Sequence, residues 1–182
     1  MIYKNVVSAV VSILSAESMT DVGGQRFENE PVAMGALLSG ELTESDRQLV
    51  NFWMCARLKK QLIPAHWDVL VAKYSGQKGQ KLSATAKLKI RVSTPAPMRF
   101  ISYAVFAWAL PKKKGVDSKC SEDSLQAPRW LHDMNLWDED ARPERTRRRW
   151  RKGIFDTLDD LLLEALAAAE EVLKDEGVLC LT

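Results

Sequence analysis

The sequence predicts a mostly α-helical fold that ends in one long helix, and three observations lead to this prediction. Apolar residues recur every three or four positions in most segments, as they do on the buried face of a helix. Prolines stand where three of these segments begin, at Pro64, Pro97 and Pro143. The 182 residues are 46% hydrophobic and 27% charged, a composition that supports a folded core in a chain of this size.

The N-terminal third of the chain contains three predicted helices. The apolar residues between Val6 and Leu14 fit a helix face, although their β-branched side chains leave a strand open as an alternative. A short second helix is expected over residues 31–38, with a proline in its first turn. Thr43 and Asp46 have the spacing of a capping box, which predicts that a third helix begins there.

In the middle of the chain, the sequence predicts a helix that pairs with the preceding one, then loops and one further helix. Pro64 begins a helix that Gly76 ends, after a tight connection at residues 61–64. The two helices around this connection are expected to form an αα-hairpin or the first half of a helix-turn-helix. Further along, the patterns indicate a basic loop at 76–81, a helix or a strand at 81–92, a buried helix at 98–110 and a loop at 115–127.

The longest predicted helix follows Pro143 and runs to Glu176, with Gly177 at the position of a C-cap glycine. Its length is roughly 50 Å if it is continuous. Gly153 weakens the interior and is a candidate kink or break. A helix of this length with an apolar stripe is expected to project, to clamp a partner or to form a homodimer.

Charge is distributed unevenly along a chain whose net charge is only +2. Residues 1–56 carry a net charge of −4, residues 57–152 of +13 and residues 153–182 of −7. A basic middle between acidic ends indicates binding to a polyanion, while a solvated lysine-rich surface is the alternative. We divide the chain accordingly into an N-terminal helical segment (1–62), a basic DNA-binding region with a central insertion (63–152) and an acidic C-terminal helix (153–182).

The densest basic segment lies at the start of the long helix, where residues 145–152 hold six basic side chains. A recognition helix places its first turns in the major groove, where arginines reach guanine edges or phosphates. Trp150 and Ile154 are positioned to seat this helix on the core. The DNA-binding candidates are Arg145, Thr146, Arg147, Arg148, Arg149, Arg151 and Lys152. The alternative is a helix that contacts phosphates or RNA polymerase without reading bases.

Lysines elsewhere in the basic region form two further clusters. Basic residues in loops usually contact phosphates without reading sequence, so they add affinity and salt dependence. The candidates for phosphate contact are Lys78, Lys81, Lys87, Lys89, Lys112, Lys113 and Lys114. The tryptophans are expected in the core rather than stacked on bases.

Several function classes find no support in the sequence. The three cysteines form no C-x-x-C pair, so neither a disulfide framework nor a zinc site is predicted. His66 and His132 lie outside any metal-binding pattern, and no Walker loop or G-x-S-x-G motif is present. We expect no enzymatic activity, no metal and no cofactor. The apolar stretches are too short to span a membrane, and the cysteine usage indicates the cytoplasm.

Two segments resemble a family of phage regulators. One is Ile63-Pro-Ala-His-Trp-Asp-Val-Leu-Val-Ala-Lys-Tyr74, and the other is Pro143-Glu-Arg-Thr-Arg-Arg-Arg-Trp150. They are similar to the opening helix and the arginine-tryptophan recognition helix of the lambdoid-phage late-gene antiterminator Q group. The resemblance covers about half of the chain. The zinc-binding cysteine pairs of some members are absent here, and a long segment separates the two helices.

The resemblance implies a sigma-like helix-turn-helix that binds duplex DNA near a late promoter. It further implies loading onto paused bacterial RNA polymerase, read-through of terminators and a place in the cytoplasm of the host cell. The residues that it assigns to the DNA are Arg145, Thr146, Arg147, Arg148, Arg149 and Arg151. The sequence thus predicts a sequence-specific DNA-binding transcription regulator. The alternative is a helical protein-interaction factor, an inhibitor or assembly protein, that binds an acidic surface of its partner.

Overall fold

A computed structural model describes residues 2–16, 43–111 and 127–179. Two short 3₁₀-helices, Arg129–His132 and Met134–Leu136, precede the last helix. The α-helices of the described ranges are α1 (Val6–Ala16), α2 (Glu44–Gln61), α3 (Pro64–Tyr74), α4 (Lys78–Arg91), α5 (Met98–Ala109) and α6 (Glu144–Asp175). The predicted mostly α-helical fold with a long C-terminal helix is confirmed. The helix expected at 31–38 and nearly all of the loop expected at 115–127 lie outside the described residues.

Helices α2, α3, α5 and α6 begin where the sequence signals place them. Thr43 Oγ1 accepts a hydrogen bond from the Asp46 backbone N–H at 3.2 Å, and the Asp46 carboxylate accepts one from the Thr43 N–H at 3.1 Å. This capping box satisfies two backbone donors at the start of α2. The Thr43 hydroxyl also donates to the Asp46 carboxylate at 2.6 Å, and this bond, together with the one from the Thr43 N–H, lowers the pKa of Asp46. Pro64 is the first residue of α3, while Pro97 and Pro143 directly precede α5 and α6. Segment 6–16 is a helix rather than a strand.

Helix α6 is continuous through Gly153 and ends at the predicted glycine. Gly177 has a φ of +68°, a left-handed conformation that costs glycine little. The Gly177 N–H donates to the Lys174 carbonyl, and the Val178 N–H donates to that of Leu173, so the last turn is closed.

The apolar stripe of α6 is buried by the chain's own helices, since α6 packs against α1, α2, α3 and α5. The expectation that this helix projects from the molecule is therefore wrong, and the stripe needs no second copy of the chain to cover it. One hydrophobic core draws side chains from all three segments defined in the sequence, and α6 runs through the boundary at 152/153. The buried residues of the stripe are Trp150, Ile154, Leu158, Leu162, Ala165, Ala169 and Leu173.

Helix α4 replaces the basic loop that the sequence predicted at 76–81 and settles the ambiguous segment at 81–92 as helix. Its buried positions are Lys81, Ala84, Thr85 and Leu88, which follow the spacing of one helix face. A lysine and a threonine occupy two of these positions, and two glycines stand nearby, so the apolar pattern was too weak to reveal the helix. Only residues 75–77 connect α3 to α4.

None of the helices in the described ranges combines the length and the apolar composition that crossing a membrane requires.

Candidate nucleic-acid interface

Among the described residues, the start of α6 presents the densest group of exposed cations. Arg145, Arg148, Arg149 and Lys152 are exposed and share one side of the helix, as their spacing predicted. The Arg148 guanidinium lies 2.6 Å from the Glu144 carboxylate one turn earlier. In the described part of the chain, the other three have no ion-pair partner. Their charges are therefore free to attract an anion.

The remaining candidates of this segment are partly buried. Thr146 and Arg147 are half-buried, and Arg147 Nε is enclosed without a hydrogen-bond partner among the described residues. The Arg151 guanidinium lies over two rings, 5.8 Å from the centre of Trp137 and 5.0 Å from that of Phe155. Ring contacts restrict Arg151 and burial restricts Arg147, so these two arginines are less accessible to a ligand than the four exposed cations.

Aromatic rings fix the start of α6 to the core. Phe100 of α5 makes edge-to-face contacts with Trp150 at 5.5 Å and with Trp137 at 5.4 Å between ring centres. Both tryptophans are buried, and the Trp137 indole N–H donates to the Leu131 carbonyl at 2.9 Å. Such pairs stabilise beyond the burial of their surface. The cations of α6 therefore project from a rigid base.

Arg142, just before α6, is held by two carboxylates and is not a free cation. Its guanidinium lies 2.7 Å from Asp138 and 2.6 Å from Asp140, and it stacks over Trp150 at 5.4 Å. Burial of Asp138 would raise the pKa of that carboxyl, but the hydrogen bonds and charge of Arg142 outweigh burial and lower it. This arrangement fixes the chain where it enters α6. The sequence did not predict that Arg142 would pair with Asp138 and Asp140.

Lys81, a predicted phosphate contact, is instead a structural residue. It is only 5% exposed, and its Nζ donates to the Lys73 carbonyl at 3.0 Å across the turn between α3 and α4. Burial lowers the pKa of Lys81, and the nearby charge of Lys73 lowers it further. The prediction for Lys81 is therefore wrong, because its long side chain fills the core between two helices.

Lys73 extends this network into the core. Its Nζ donates to the Trp108 carbonyl at 3.1 Å and lies 4.3 Å from the centre of the Trp108 ring. The Trp108 indole N–H in turn donates to the Asp159 carboxylate at 2.8 Å. Burial lowers the pKa of Lys73, while the charge of Asp159 opposes that shift. Side chains from α3, α4, α5 and α6 are thus joined in one hydrogen-bonded chain.

The other lysine candidates differ in exposure and in ion pairing. Lys78 and Lys87 are exposed and Lys89 is half-buried on the surface of α4. Lys87 Nζ lies 3.3 Å from the buried carboxylate of Asp68, which Arg91 also approaches at 3.7 Å. The candidates that lie outside the described residues are Lys112, Lys113 and Lys114.

Within the described ranges, no group of three or more histidine, cysteine, aspartate or glutamate side chains is arranged to hold a metal ion. Comparison of the chain with protein-family models, curated proteins and solved structures gave no match. The residues themselves therefore carry the functional argument.

Proposed function

We propose that this protein is a DNA-binding regulator of transcription that contacts duplex DNA through the start of α6. The observation that carries the proposal is a group of exposed, unpaired cations at a helix N-terminus. A helix dipole places positive potential at that end, so helix stability alone favours acidic residues there. Glu144 is the only acidic residue in the first turn of α6, and arginines follow it. A negatively charged ligand explains this choice of residues.

Duplex DNA fits these cations better than a small anion does. Arg145, Arg149 and Lys152 are spread over two helical turns, roughly 10 Å, which matches several successive phosphates rather than one. Arginine also reads guanine edges through two parallel hydrogen bonds when a helix enters the major groove. The rigid aromatic base under α6 supports such readout, because geometry decides specificity.

Helices α3 and α4 support the same function. The connection of three residues, with Gly76 at its centre, is typical of a helix-turn-helix. The Ser75 hydroxyl accepts the Gln77 N–H at 3.1 Å, and Lys81 ties the end of α3 to α4. The resemblance to the phage family pairs α3 with the arginine-rich helix, whereas the helix that follows α3 through a short turn is α4. We infer that α4 contributes exposed lysines to the DNA surface.

The role in transcription antitermination comes from the resemblance to the phage Q group alone. This proposed role includes contact with bacterial RNA polymerase. A second candidate function, binding of a protein partner, is favoured by the exposed apolar side chains of Trp130 and Leu136 on the 3₁₀-helices.

A salt titration with duplex DNA tests the proposal. The 182-residue chain is mixed with a labelled random duplex and with genomic fragments, and affinity is measured by fluorescence anisotropy. With about five phosphate contacts, the slope of log K against log salt is expected near −4 to −5. No binding at roughly 50 mM salt, where such contacts are strong, would exclude DNA as the ligand.

A pair of double variants locates the interface. Arg145→Gln with Arg149→Gln is expected to weaken binding and to flatten the slope by about 1.8 for two lost phosphate contacts. Lys4→Gln with Lys174→Gln removes the same charge at the opposite end of α6, since Tyr3 pairs with Leu179 there. This control is expected to leave the slope unchanged. Equal losses in both variants would mean that net charge, and not this surface, drives binding.

A further inference from the structure

A groove of about 380 Å³ opens between the end of α2, α3 and α4. Its apolar floor includes Val71 and Ala84, both buried. Its polar and aromatic lining consists of Lys59, Trp67, Asp68, Gln80, Ser83 and Lys87. Three helices contribute to this lining, so the groove exists only in the folded chain.

The charge of the groove favours an anion. Lys59 is exposed in the last turn of α2 and has no ion-pair partner within the described residues. The one carboxylate in the lining, Asp68, lies 3.3 Å from Lys87 and 3.7 Å from Arg91. Because two cations face a single buried carboxylate, its charge is offset and the groove stays positive.

Two neutral hydrogen-bond donors stand beside these cations. Gln80, Ser83 and Lys87 lie on one face of α4 at a spacing of three and four residues, next to the groove. In the part of the chain that the structure describes, neither the Gln80 amide nor the Ser83 hydroxyl makes a side-chain hydrogen bond. An amide, a hydroxyl and two ammonium groups together match the oxygens of a phosphate, which accept several bonds at once.

We propose that this groove binds a phosphate ester of the DNA backbone, with Lys59 and Lys87 on its two sides. Gln80 and Ser83 donate to the phosphate oxygens, and the half-buried ring of Trp67 contacts the adjoining sugar. This proposal rests on the proposed function and adds α2 to the DNA-contacting surface. A free nucleotide has the same phosphate chemistry, but Lys87 and the exposed Arg91 lie one turn apart on the groove side of α4 and extend the positive surface beyond the groove. The backbone of a duplex is therefore the source that we assign.

The decisive experiment compares Lys59→Gln with Lys60→Gln. Both lysines are exposed neighbours in the last turn of α2, and only Lys59 lines the groove. Loss of one phosphate contact is expected to flatten the salt slope of duplex binding by about 0.9 in Lys59→Gln. Lys60→Gln is expected to keep the wild-type slope. Thermal melting of both variants checks that each retains the wild-type fold.

Equal slopes in the two variants, with wild-type binding intact, would overturn the groove assignment and leave the proposed function standing. Absence of duplex binding by the wild type would instead overturn the proposed function. A second arm tests the groove directly by titrating the dinucleotide d(TpT) and thymidine against the Trp67 indole and Ser83 amide signals in NMR. Shifts with d(TpT) but not with thymidine support a phosphate site. Adenosine monophosphate is titrated in the same way. Signal shifts with it, together with an unchanged salt slope of duplex binding in Lys59→Gln, would assign the groove to a free nucleotide and refute its assignment to the DNA backbone.

Discussion

The start of α6 and the surface of α4 are both rich in basic residues, but their cations are held differently. At the start of α6, Arg145, Arg149 and Lys152 face solvent without a carboxylate partner in the described residues. On α4, Lys81 is buried in the core and Lys87 lies beside Asp68. A count of basic residues therefore overstates the charge that α4 offers to a ligand. Burial and neighbouring carboxylates decide how much of it remains.

The aromatic base under α6 gives the largest expected effect. Trp150 is nine-tenths buried between Phe100 and Arg142, so Trp150→Ala leaves a cavity in the core. We expect the free energy of unfolding to fall by about 3–5 kcal/mol, measured by urea denaturation. Trp130→Ala is the control, because Trp130 is 55% exposed and its ring makes an edge-to-face contact with Tyr103 at the longer distance of 6.4 Å between ring centres. Its expected loss is about 1 kcal/mol or less. Similar losses in both variants would contradict a rigid base under the arginines.

Lys81 and Lys89 compare a structural lysine with a candidate phosphate contact. Lys81→Ala removes the bond to the partly buried Lys73 carbonyl and the buried lysine stem, which is expected to cost about 1–3 kcal/mol of unfolding free energy. The salt slope of DNA binding is expected to stay unchanged. Lys89→Ala is expected to do the reverse, flattening the slope by about 0.9 with little change in stability. A flattened slope in Lys81→Ala with wild-type stability would restore Lys81 as a phosphate contact.

The sequence predicted those helices whose ends carry local signals. The capping box of α2, the prolines at the starts of α3, α5 and α6, and Gly177 after α6 all act within a few residues of the helix end. The stripe of α6 identified its buried face as well. Helix α4 was predicted only as one of two alternatives over 81–92, and its first turn was predicted as a loop, because Lys81 and Thr85 occupy buried positions where a pattern search expects apolar residues. The aliphatic stem of a lysine buries well only when its ammonium finds an acceptor, which here comes from α3.

The sequence was enough to predict the residue types of the candidate interface. It was not enough to predict which of its cations form ion pairs with carboxylates. The sequence located the arginine cluster, and the exposed members lie on the face that their spacing indicated. It did not reveal that Asp138 and Asp140 neutralise Arg142, because that pairing depends on a turn with Ala141 in a left-handed conformation. Lys59 was likewise missed, since the groove that it lines is formed by three helices that meet only in the folded chain.

Arg145 and Arg142 test whether carboxylate pairing removes an arginine from the DNA surface. Arg145→Gln deletes one unpaired cation and is expected to flatten the salt slope by about 0.9. Arg142→Gln removes a charge that two carboxylates already offset, so the slope is expected to remain at the wild-type value while the melting temperature falls. Both variants change the net charge equally, and anisotropy titrations at several salt concentrations compare them. A flatter slope in Arg142→Gln would show that pairing does not withdraw a cation from the ligand.

The smallest expected effect is the pH dependence that Asp138 gives to the fold. Its carboxyl has a pKa below the ordinary value of 3.8, because contacts with Arg142 outweigh the burial that would raise it. A carboxyl that is more acidic in the folded state stabilises the fold while it is ionised. That contribution is complete above the unfolded-state pKa, about 4, and is lost as the pH falls through the lower folded-state value. The free energy of unfolding of the wild type is therefore expected to exceed that of Asp138→Asn at neutral pH. The difference in unfolding free energy between the two proteins should narrow below about pH 4.

Asp156→Asn, which removes an exposed carboxylate of α6, is the control and is expected to have the unfolding free energy of the wild type at every pH. A gap for Asp138→Asn that stays constant into acid would mean that the amide loses packing rather than the ionic contact with Arg142.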